Sequence, residues 1–152
     1  MPRTAMISDE AVGWQARAGD FALSCAGSFA SDEATRLGEF VALLRACPPC
    51  LLRGLNVPDV DRTETLLAVG ATTSLATELF ERADIGYLLS RGGHGSAHLA
   101  SVVLPNALEE ISASGDTAAL ALICALALAM AEAAVEPIAM AERRAPDGLR
   151  FN

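Results

Sequence analysis

The chain has 152 residues, 52% of them hydrophobic, which is enough for one ordinary core and close to the common size of a single domain. A net charge of -8, with eleven arginines and no lysine, leaves no basic stripe to neutralise phosphates, so nucleic acid is not an expected partner. The most apolar run, residues 118–131, is shorter than the roughly 20 residues that span a bilayer, and Asp9 and Glu10 interrupt any signal-peptide pattern. A cytoplasmic chain with no membrane segment is expected, and its four cysteines, Cys25, Cys47, Cys50 and Cys124, are expected as reduced thiols.

In chain order, Ser8 followed by Asp9 and Glu10 predicts a short capped helix to about Arg17, ended by Gly19. Residues 21–25 are ambiguous between strand and turn. Ser31, with Asp32 and Glu33 behind it, predicts a second helix whose apolar stripe is Leu37, Phe40, Val41 and Leu44. Residues 47–58 are bounded by Pro48, Pro49, Gly54 and Pro58, and predict a buried strand through Leu51, Leu52 and Leu55 around which the rest is organised. Asp61 and Glu64, spaced as a capping box, open a helix to about Arg82 with Leu67, Ala71, Leu75 and Leu79 as its buried row.

Residues 85–89 predict a strand, Gly92, Gly93 and Gly95 a flexible turn, and residues 98–104 the returning strand, stopped by Pro105. Residues 106–117 read as a polar loop, with room for a helical turn at 107–111. Residues 119–131 admit two readings. Leu120, Leu122, Cys124, Leu126, Leu128 and Met130 occupy every second position, as in a strand, while the intervening alanines favour a helix.

Few constellations suggest chemistry. Cys47 and Cys50 have dithiol spacing but follow a helix, where no helix N-terminus lowers a thiol pKa; a proline-stiffened turn is the plainer account. With His94 and His98 they number enough ligands for a tetrahedral zinc site, as a weak alternative to a glycine loop and a strand edge. Asp116 with Ser112, Ser114 and Thr117 reads as a solvated turn, and adjacent Glu109 and Glu110 point apart, which is wrong for paired acid and base work.

The words Pro49-Cys-Leu-Leu-Arg-Gly-Leu-Asn-Val-Pro58 resemble the early strand of the clavaminate synthase-like, TauD-like branch of the Fe(II)/2-oxoglutarate-dependent oxygenases. A helix then follows, then Gly86-Tyr87, Arg91-Gly92-Gly93 and Val102-Val103-Leu104-Pro105, in the family's order. The resemblance implies an α+β fold: N-terminal helices (1–46), a strand-helix-strand core (47–136) belonging to a partial double-stranded β-helix, or jelly roll, and a tail (137–152), all in one domain. The alternative is a mostly α-helical bundle.

The family would use Fe(II) and 2-oxoglutarate, held in part by a His-x-Asp/Glu motif. Aligned on Pro137, that motif falls on Ala127-Leu128-Ala129, which offer no ligand atoms, so no catalytic, metal or cofactor site and no cofactor is expected in this chain alone. The resemblance thus implies a catalytically incomplete relative of an oxidoreductase. A partial jelly roll would leave the face of residues 120–130 uncovered, and a mean hydropathy of +0.35 points the same way, so a homo-oligomer or a protein partner is expected. The competing functions are a small helical self-associating interaction protein and a zinc or dithiol module.

Overall fold

In the computed structural model, residues 2–49, 51, 56–91, 97–105, 107 and 109–133 are described, with side chains from residue 9 onward. Five α-helices and a three-stranded antiparallel sheet make a mixed α+β fold among these residues. Helix α1 spans Pro2–Ala26, a 3₁₀ turn Ala30–Asp32, α2 Glu33–Arg45, α3 Val60–Ala68 and α4 Thr72–Ala83. Strands β1 (Gly86–Arg91), β2 (His98–Val103) and β3 (Ile111–Gly115) form a meander in the order β1-β2-β3, and α5 (Ala118–Glu132) closes the described chain.

Helix α5 is the axis of the fold. It is the stretch whose two-residue alternation also suits a strand, and the helix wins for two reasons. Alanine strongly favours helix. In addition, residues two apart on a helix lie about 200° apart around its axis, so large side chains at every second position spread to all sides. That distribution suits a helix enclosed all round, and Leu120, Leu122, Ile123, Leu126 and Met130 are all buried. The face expected to stay uncovered is therefore covered from within, by α1 on one side, β2 and β3 on another, and α2 and α4 at the flanks.

Side chains finish both ends of α5, one local and one from α1. At its start the Thr117 hydroxyl accepts from the Leu120 amide at 3.1 Å. At its end the Gln15 amide on α1 donates to the carbonyls of Met130 and Ala133, at 3.0 and 2.7 Å, meeting acceptors a helix C-terminus leaves free. Gly115 permits the tight turn from β3 into α5, since a Cβ there would lie 2.6 Å from the Ala121 nitrogen.

Helix α1 runs through Gly13 and Gly19 to Ala26 rather than stopping at Gly19. The helical cost of glycine, about 1 kcal/mol each, is outweighed by the buried face Ala11, Trp14, Ala18, Ala22 and Cys25. Trp14 also donates its indole N–H to the Leu43 carbonyl in the last turn of α2, at 2.8 Å. Helix α2 buries the expected stripe of Leu37, Phe40, Val41 and Leu44.

The single helix expected up to Arg82 is two. Gly70, at φ +74°, turns the chain between α3 and α4, and Asp59, not Asp61, caps α3 by accepting from the Arg62 amide. Leu75 and Leu79 are buried as expected, whereas Leu67 and Ala71 are only half-buried at the break. Of the supposed organising strand, Leu52 and Leu55 lie outside the described residues. Leu51 lies in a turn, its amide bonded to the Pro48 carbonyl at 3.1 Å, and is half-buried against the core.

Candidate functional site

The sheet has two unequal faces. Opposed residues of an antiparallel pair share a face, so the register places Tyr87, Leu89 and Arg91 with Val102, Ala100 and His98, and these with Ile111, Ala113 and Gly115, on the side of α5. The other side carries Gly86, Leu88 and Ser90 of β1, Leu99, Ser101 and Val103 of β2, and Ser112 and Ser114 of β3. Leu88 is 68% exposed, Leu99 44% and Val103 38%. A Ser101–Ser112 hydroxyl bond of 2.7 Å is the one polar tie between side chains described on this face.

Strand β1 is bare in a further sense. Helix α5 lies over β3 and β2 and reaches only the margin of β1, so Tyr87 on the inner side is still 38% exposed. The tilted contact of Tyr87 with Phe80, ring centroids 5.0 Å apart, is what α4 contributes there. The strand enters from Asp84, which ends α4 in the left-handed region at φ 56° while the Ile85 amide reaches back to the Phe80 carbonyl at 3.1 Å. It leaves at Arg91, whose side chain has no ion-pair partner among the described residues.

The residues singled out in the sequence do not assemble into a chemical site among the described residues. Cys50 and His94 lie outside them. Cys47 is half-buried past the end of α2, and His98 opens β2 opposite Arg91 and Gly115. Among the described residues no group of three or more His, Cys, Asp or Glu could hold a metal ion. Ala127 and Ala129 are buried inside α5, so the segment that the oxygenase resemblance implies as a strand is a helix. Asp116 does more than sit in a solvated turn: its carboxylate accepts from the Ala30 amide at 2.6 Å and ties the β3–α5 junction to the turn after α1.

Two buried thiols face the α1–α5 seam. Burial pushes Cys25 up from 9.0 to about 12, with Cys124 nearby adding to the rise, and burial raises Cys124 as well. Both stay protonated at neutral pH, which is the reverse of a reactive cysteine. Helices α3 and α4 with their short turn and following hairpin have helix-turn-helix connectivity. Their exposed charges are Asp59, Asp61, Glu64, Glu81 and Asp84, and Arg62 and Arg82 are both engaged by Glu78. Those two arginines hold the Glu78 carboxyl below the usual range, Arg62 foremost through its hydrogen bonds. Such a surface would repel phosphates.

A scan against protein-family models, a search of curated proteins and a search of solved structures each returned no match. Among the described residues no helix is long and apolar enough to cross a membrane.

Proposed function

We propose that this chain is a self-associating interaction module, working as an assembly of its own copies through the sheet. The observation that supports this most is the contrast within one sheet: an inner face that α5 covers over β2 and β3, and an outer face of Leu88, Leu99 and Val103 beside an edge strand that α5 barely reaches. Exposed apolar area gathered on one sheet face gains by covering, and unpaired strand amides gain by pairing. The hydroxyls of Ser90, Ser112 and Ser114 keep this face wettable in the separated chain.

The test is sedimentation of the purified full chain across a wide concentration range. Reversible, concentration-dependent association is expected. A dispersed monomer at every concentration overturns it.

A further inference from the structure

We infer that the partner of β1 is β1 of a second copy, paired antiparallel about a two-fold axis through Leu88 so that two three-stranded sheets become one of six strands. The inference rests on the self-association proposed above and specifies its seam.

The choice of edge comes first. Strand β1 is lightly guarded for an open edge: it has no proline, an unbroken six-residue register with β2 that leaves no bulge, and a single charge, Arg91, at its last position. The β3 edge is shorter, built of serine, alanine and glycine beyond Ile111, and approached by α1. It offers less apolar surface and less room.

Parity then restricts the register. In a continuous sheet with both α5 helices on one side, outer residues must oppose outer residues, so the positions of each opposed pair sum to an even number. The pairing centred on Leu88 sets Leu88 against its own copy on the outer face and Tyr87 against Leu89 of the other copy on the inner face. It also sets Ser90 against Gly86, and Arg91 against Ile85, beside Asp84.

Charge and strand length together select this register over its neighbours. The segment runs acid, apolar, base, with Asp84 exposed at one end and Arg91 exposed at the other. Antiparallel pairing about Leu88 brings each Arg91 to the Asp84 end of the other copy, once at each end of the seam. Sliding to the pairing centred on Leu89 moves the charges apart by two further positions, while the pairing centred on Tyr87 keeps Arg91 one position from Asp84 but sets it against Ala83 of α4 and opposes only residues 86–88 strand to strand. Main-chain bonds supply the affinity, and strand length together with the end charges supplies the register. The seam is short compared with a standard interface, so a weak, reversible dimer is expected.

Cysteine cross-linking reads the seam directly. In a full chain with Cys47→Ser and Cys50→Ser, Leu88→Cys places two thiols directly opposite, where Cβ atoms of facing residues lie about 4.5–5.5 Å apart, close to disulfide range. Ser90→Cys is the control, because Ser90 and its copy would be four positions apart, about 13 Å. Leu88 is mostly exposed, so both variants should fold, and circular dichroism checks that they do.

The expected result is a disulfide-linked dimer from Leu88→Cys and little from Ser90→Cys. Association should also weaken at least tenfold in Arg91→Glu, which sets two carboxylates together at each end, and persist in Arg91→Lys. If the chain associates but Leu88→Cys fails to link, links no better than Ser90→Cys, or Arg91→Glu associates like the parent, the seam is wrong and self-association by another surface stands. A monomer throughout overturns both.

Discussion

Helix α5 and strand β1 are both rich in leucine and small residues, yet one is enclosed on every side and the other is paired along a single edge. Composition alone does not separate them. What separates them is the supply of neighbours: α5 has a helix, a sheet face and two flanking helices around it, and its end groups are met by Thr117 and Gln15. Strand β1 lies where α5 reaches only the margin. The molecule therefore concentrates its buried apolar contacts along α5 and leaves β1 as an exposed strand.

The widest gap between the two regions should appear on truncating a leucine in each. Leu122→Ala should cost about 2–5 kcal/mol in a denaturant melt, the range for emptying a buried leucine site. Leu88→Ala should change monomer stability by no more than about 0.5 kcal/mol. Equal losses would erase the distinction. The enclosed side should also be sensitive to alkali. Because burial raises the Cys25 thiol from 9.0 to about 12, the unfolded chain releases that proton first. Stability is then intact below pH 9 and falls as the pH rises toward 12. A Cys25→Ala variant measured in parallel should show a shallower fall.

Next in size, Gly115→Ala forces a methyl against the backbone of α5 and should cost about 1–3 kcal/mol, the usual penalty for overpacking. Gln15→Ala removes two bonds to the end of α5 and should cost about 1–2 kcal/mol. The smallest change has the opposite sign. At Gly13 an added Cβ meets nothing within 4 Å, so Gly13→Ala should raise stability by about 0.5–1 kcal/mol through helix propensity, read as a higher denaturation midpoint.

How far the sequence foretold this depends on what each segment needed from its surroundings. Helix α2 was legible because Leu37, Phe40, Val41 and Leu44 face one way and solvent takes the other side. The hairpin of β1 and β2 was legible from its glycine turn and Pro105. Helix α5 was not, because a helix with no polar side shows no helical period; only its alanines pointed to the answer. Strand β3 was missed because Ser112, Ala113, Ser114 and Gly115 have little strand propensity and are held by pairing with β2. The candidate surface was half visible. An uncovered apolar face was expected, but on residues 120–130, since enclosure of α5 depends on α1 arriving from the far end of the sequence.

That arrival has a temporal side. Gln15 and Ala133 are 118 positions apart, and Cys124 meets the Ala22 carbonyl across 102. Closing so large a loop costs entropy before any contact repays it, so a largely helical protein carries one long-range step that local helix formation cannot hasten. During synthesis Trp14, Ala18, Ala22 and Cys25 emerge first and must wait, with their apolar stripe open, until α5 leaves the ribosome. At that stage the open apolar stripe belongs to α1 rather than to the sheet.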